Sequence, residues 1–214
     1  MTLALALWSA GASWGASASP VIYDPASRSV TNWSTEMAVH LDAGAVDIAK
    51  HRSLRCVKLN NYWCLKDMGW RGRVGRDLDA HTAFADGYFA ARAAVRNMRT
   101  AYVKHGRSSA LQIMQAYAPS DDCVGSTAGR RADGTCKWGY NPTEKYALLV
   151  SKGVADAANS DLRLFDSSGK ANEAALVRFL QNMSAFETGG LVVKADTIRR
   201  GICLEDETCM PEPR

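Results

Sequence analysis

Residues 173–190 read EAALVRFLQNMSAFETGG, and this stretch decides both the fold class and where chemistry should be sought. Leu176, Phe179, Leu180, Met183 and Phe186 recur at three- and four-residue steps. The segment from about Asn172 to Glu187 is therefore expected as an amphipathic helix with one apolar stripe, ended by Gly189-Gly190. Glu187 lies four residues after Met183 and seven after Leu180, on that same stripe. It also sits in the last turn, where the helix dipole disfavours a negative charge. Both circumstances raise the expected pKa, as a general acid working near neutral pH requires. The plainer alternative is an exposed last-turn glutamate with no role.

Outward from this helix the pattern stays helical. Met37, Leu41, Ala45, Ile48 and Ala49 form a stripe that predicts a helix over Thr35 to Arg52. Further helices are expected from Tyr88 to Lys104, from Leu111 to Ala118, from an Asn141-Pro142 cap to about Val154, and from Lys194 to Arg200. Residues 53–80 have the Gly and Asn punctuation of loop or short β structure. Residues 120–140 form a polar loop with four glycines, long enough to be an insertion or a functional flap. No alternating strand–helix series is present. The expected fold class is mainly α, with a small irregular or β lobe near residues 56–84.

The composition agrees. A chain of 214 residues with 47% hydrophobic and 22% charged residues fits one globular domain with appendages. It excludes a disordered, collagen-like or polytopic membrane chain. The net charge of +4 comes without any long Lys/Arg run, so no nucleic-acid footprint is expected; it weakly favours an anionic polymer such as cell wall. Residues 1–18 carry no charge, are rich in Leu, Ala, Ser and Trp, and end in Ala16-Ser17-Ala18, which reads as a signal peptide. The apolar part, Leu3 to Leu7, is too short to span a bilayer. Residues 19–31 follow as an extended leader, 32–202 as the domain, and 203–214 as an acidic tail.

Six cysteines behind a signal sequence read as disulfides of an oxidising compartment, periplasmic or extracellular. Sequence-local pairing, Cys56–Cys64, Cys123–Cys136 and Cys203–Cys209, would staple one loop each. The rival reading, a metal site, lacks C-x-x-C and H-E-x-x-H spacing, so neither a metal nor another cofactor is expected. Glu36 is the competing catalytic carboxylate, although capping of its own helix explains it adequately. Glu144 and Glu173 are likewise first-turn acids. Gly125 to Gly129 has Thr127 where a nucleophile elbow needs Ser, so no nucleophile constellation stands out.

Several segments together resemble a known family. Leu59-Asn60-Asn61 followed by Trp70-Arg71-Gly72, then Phe84 to Ala93, Gln115 to Pro119, Asn141-Pro142-Thr143-Glu144-Lys145-Tyr146 and Phe186-Glu187-Thr188-Gly189-Gly190 follow one order. That order is similar to phage virion and bacterial proteins of the lysozyme-like superfamily, over about residues 57–202. The family's Pro-Gly after the Asn pair is here Tyr62-Trp63-Cys64. In related enzymes the catalytic Glu precedes the Asn motif, so the resemblance implies a circular permutation with Glu187 facing Asn60 and Asn61 across a groove. It further implies a lysozyme-like fold and cleavage of the β-1,4 glycan strand of peptidoglycan by a monomer without stable membrane insertion. The activity would be that of a muramidase, glucosaminidase or lytic transglycosylase, with Glu187 as its single general acid. Asn60, Asn61 and Tyr146 would bind sugar amides and hydroxyls, and Tyr62, Trp63 and Trp70 would stack on sugar faces. Plainer readings stand beside these: Asn in turns, aromatic residues in the core (favoured for Trp63), and capping by Asn141 and Thr143. The alternative functions are a non-catalytic peptidoglycan-binding or envelope assembly protein on the same scaffold, and a secreted inhibitor or effector.

Overall fold

The computed structural model describes residues 20–42 and 54–209. The putting of residues 1–18 to a signal peptide, and the end of the acidic tail, lie outside them. The described chain is mainly helical, with short antiparallel strand pairs. It opens on a hairpin, β1 (Tyr23–Asp24) with β2 (Ser29–Val30), where an extended leader was expected. The Asp24 carboxylate makes the turn by accepting the Ala26 and Ser27 N–H groups. Val30 is buried against Leu59 and Ala83, which docks the hairpin on the small lobe.

Helix α1 (Trp33–His40) is shorter than its apolar stripe predicts. Leu41 turns extended and β3 (Leu41–Asp42) pairs antiparallel with β6 (Val192–Val193). Burial of Leu41 and Val193 in this pairing outweighs the local helical preference. The remainder of the expected helix, through Arg52, lies outside the described residues.

The small lobe contains α2 (Arg55–Lys58) and the hairpin β4 (Arg73–Arg76) with β5 (Thr82–Phe84). The Cys56–Cys64 disulfide closes the turn between α2 and Leu65. Then comes α3 (Gly87–Arg99), whose Asp86 side chain caps the Phe89 N–H, continued by a short π-helix over Thr100–Lys104. Helix α4 (Ala110–Tyr117) starts on a reciprocal Ser109–Gln112 capping box. Residues 120–140 form the expected loop, the flap, with a short 3-10 turn over Ser126–Gly129 and the Cys123–Cys136 bridge.

Helix α5 (Thr143–Ser151) follows, but neither Asn141 nor Thr143 caps it. Asn141 Nδ2 donates to Pro119 O and the Thr143 hydroxyl to Ala118 O, so both tie the flap's base to the end of α4. Helix α6 (Glu173–Glu187) is capped by Asn172 and carries Leu176, Phe179, Leu180 and Met183 into the centre of the core. Helix α7 (Ala195–Glu205) lies on α3 so closely that a Cβ on Gly201 would come 2.7 Å from Ala91. Glu205 was expected in an acidic tail clipped by Cys203 and Cys209. It instead ends α7, nearly buried, and meets Arg92 at 3.0 Å, while Asp206 pairs with Arg99. Cys203–Cys209 clips this end.

Trp63 stands at the join of lobe and helices. It is fully buried and its indole N–H donates to Leu180 O at 2.9 Å. Helix α6 thus returns beside the Asn60–Trp63 turn. Among the described residues no helix is long and apolar enough to cross a membrane.

Candidate functional site

A cleft of about 750 Å³ opens between the small lobe, the end of α4, the flap and the last turn of α6. Glu187 is on its wall, brought there because the apolar stripe of α6 faces the core and the helix stops at this residue. The stop is local: the Thr188 hydroxyl lies 2.7 Å from Ser184 O and 2.8 Å from Leu191 O, and Gly189 takes a left-handed φ of 67°.

Tyr146 of α5 is buried, stacks on Phe186 with ring centroids 3.8 Å apart, and donates its hydroxyl to Glu187 Oε1 at 2.6 Å. Glu187 Oε2 has no hydrogen-bond partner among the described residues. Burial pushes the Glu187 pKa up to about 7, opposed by the Tyr146 hydrogen bond and the Arg55 charge. The Tyr146 hydroxyl, being a donor, makes Oε1 the accepting oxygen and leaves Oε2 to carry the proton.

The cleft's other groups come from pieces that the disulfides hold. Arg55, Lys66, Trp70 and His81 are on the lobe side; Asp122, Ser126, Trp138 and Asn141 are on the flap side. Arg55 is engaged by two carboxylates, with Nη1 on Asp79 and Nε 3.5 Å from Asp77. His81 Nδ1 lies 3.3 Å from Asp77. Burial, then the charges of Arg55 and Lys66, hold the His81 pKa down at about 4, so its ring is neutral at physiological pH. Asp77, Asp79 and His81 bring metal-ligand atoms within 4.8 Å of one another, but the Arg55 guanidinium already spans both carboxylates.

The residues expected to bind sugar divide. Trp70 lines the cleft, its indole N–H fixed on Lys66 O at 2.7 Å. Tyr146 acts behind Glu187, where it reaches no ligand directly. Asn60 and Asn61 do not face Glu187 across a groove, because both are fully buried. Asn60 holds a left-handed turn (φ 51°) and donates to Phe84 O and Asn32 Oδ1. Asn61 donates to Leu65 O and Thr82 O and accepts from the Leu65 N–H. Tyr62 is also fully buried, its ring 6.3 Å from those of His40 and Trp63. These three residues lie in the interior and none lines the cleft.

Glu36 is likewise a brace. Its Oε2 accepts from His40 Nε2 at 2.9 Å and from Gly87 N at 3.0 Å, joining α1 to the start of α3. Burial raises its pKa, but those two hydrogen bonds and the His40 charge together outweigh it and hold the carboxyl below its usual value. That suits an anchor and opposes a general acid.

Sequence reading missed Arg55, Lys66 and Trp138. Signals existed for them: pairing Cys56 with Cys64 brings Arg55 and Lys66 to one edge, and Trp138 lies two residues from Cys136. The cleft itself was not legible.

The acid makes a thermodynamic prediction. In the folded protein Glu187 keeps its proton to about pH 7, against an ordinary value of 4.5 once unfolded. The folded state therefore binds more protons between these limits. Its stabilisation is fully present below about pH 4.5 and is lost as pH rises through about 7, with a ceiling of about 3 kcal/mol. His81, held down at about 4, acts in the opposite sense between about pH 4 and its ordinary 6.5. Urea unfolding of the parent and of Glu187→Gln at pH 5 and pH 8 isolates the glutamate. The parent is expected to lose more stability than the variant over that interval, and equal losses would remove the perturbed acid.

No protein-family model matches the chain, and no curated protein is similar enough to match it.

Proposed function

We propose that this protein cleaves the β-1,4 glycan strand of peptidoglycan, with Glu187 as the general acid. The observation that carries the reading is a glutamic acid protonated to about pH 7, with one oxygen fixed by Tyr146 and the other without a partner among the described residues, on the wall of a cleft. Trp70 and Trp138 line the same cleft as aromatic surfaces for the C–H faces of sugar rings, Trp138 with Lys137 Nζ 4.7 Å from its ring centre. The order of motifs shared with lysozyme-like proteins adds to this.

Glu187 Oε2–H would protonate the leaving glycosidic oxygen. Among the described residues lining the cleft, the other carboxylate is Asp122, and it is already engaged by Arg130 at 3.2 Å and by the Cys123 N–H. The second nucleophile is then best supplied by the substrate. In a lytic transglycosylase route the muramyl 6-hydroxyl attacks the anomeric carbon, and its proton returns to the Glu187 carboxylate, which restores the acid. The products are an anhydro-sugar end and a free hydroxyl on the departing strand, with no water consumed.

Incubating the protein with purified peptidoglycan and weighing the soluble fragments tests this. Anhydromuropeptides are expected. Reducing-end fragments would replace transglycosylation with hydrolysis, and a bound but intact polymer would make the protein a binder.

A further inference from the structure

We propose that Lys66 and Ser126 form an anion subsite at this cleft that selects glycans carrying a carboxylate, a specificity that rests on the glycan reading above. The starting point is charge pairing. Of the two strongly basic side chains lining the cleft, Arg55 is held by Asp77 and Asp79, while Lys66 has no carboxylate within 4.0 Å among the described residues. Lys66 Nζ donates to Asp79 O at 2.7 Å and to Ser126 Oγ at 3.1 Å. An ammonium has three protons, so one remains. Ser126 accepts from Lys66, which leaves its own hydroxyl proton to give. A lobe cation and a flap hydroxyl thus stand together with one unspent donor each.

The surroundings favour filling this place with an anion. Partial desolvation of the exposed Lys66 side chain, then the neighbouring Arg55 charge, lowers its pKa even against the opposing charges of Asp79, Asp77 and Asp122, so its charged form gains from a further negative ligand. The nearby acids are committed: Asp77 and Asp79 to Arg55, and Asp122 to Arg130. His81 is neutral and does not compete. Ser126 is held in a left-handed backbone (φ 56°) beside Gly125, whose missing Cβ makes room for the Trp138 ring. The Ser126 hydroxyl and the Trp138 ring therefore sit together on the flap, with Lys66 reaching Ser126 from the lobe and Lys137 Nζ 4.7 Å from the ring centre. A sugar ring bearing a carboxylate satisfies both; a neutral sugar uses the aromatic face alone.

The test measures binding without turnover, in Glu187→Gln protein, by tryptophan fluorescence. The probes are chitotetraose, which is neutral, and a peptide-free peptidoglycan tetrasaccharide, whose muramic lactyl groups are free carboxylates. A peptide-bearing tetrasaccharide, with those carboxylates used in amide bonds, shows whether a stem-peptide carboxylate serves instead. At low salt at least one carboxylated probe is expected to bind about tenfold tighter than chitotetraose. The gap should shrink in high salt, fall below about twofold in Lys66→Gln and persist in Lys66→Arg, with far-UV circular dichroism showing both variants folded. Equal affinity for neutral and carboxylated probes, or a preference that survives Lys66→Gln, overturns the subsite. If the parent releases no fragments from peptidoglycan yet the preference holds, the catalytic reading falls and the subsite stands.

Discussion

Glu187→Gln is expected to abolish release of soluble fragments from peptidoglycan while leaving the fold intact. Gln keeps a carbonyl that can accept the Tyr146 hydroxyl now placed 2.6 Å from Oε1. What it lacks is a proton to give, and general acid catalysis supplies about 10²- to 10⁴-fold. The loss should therefore appear in turnover, with glycan affinity retained. Above pH 7 the variant should be no less stable than the parent, because it removes a carboxylate that burial disfavours. Undiminished fragment release from folded Glu187→Gln would take this residue out of the chemistry.

The second large effect is on stability. Asn61→Ala removes three buried hydrogen bonds, each of 2.9 Å, that tie the turn after α2 to Leu65 and Thr82. Two carbonyls and one N–H are left without these partners at a site with no solvent access. The expected cost is about 3–5 kcal/mol. It should be seen as a lower urea midpoint at unchanged slope, with the folded fraction binding glycan as before. Normal stability combined with lost glycan affinity would restore Asn61 to a place on the substrate.

These two residues show what could be read from the chain alone. The stripe Leu176, Phe179, Leu180, Met183 has the period of a buried helix face, so the position of Glu187 on that face and its raised pKa follow from local spacing. The cysteine pairs were legible because each closes a short loop. Asn60 and Asn61 were misread because a buried turn and a sugar site favour the same residue type. Only the tertiary surroundings, the backs of β5 and the Leu65 carbonyl, decide between them. Helix α1 was overextended for the same reason, since the pairing of Leu41 with Val193 comes from a strand about 150 residues further along. Lys66 and Ser126 are 60 residues apart and neither lies in a recognisable motif, so their contact had no sequence signature.

The three disulfides join residues separated by 8, 13 and 6 positions, and each cysteine pairs with its nearest neighbour in order along the chain. Each bridge can therefore close within its own short segment, with no search between thiols far apart along the chain. The covalent frame of both cleft walls can thus be laid down segment by segment, ahead of the docking of α6 that completes the core.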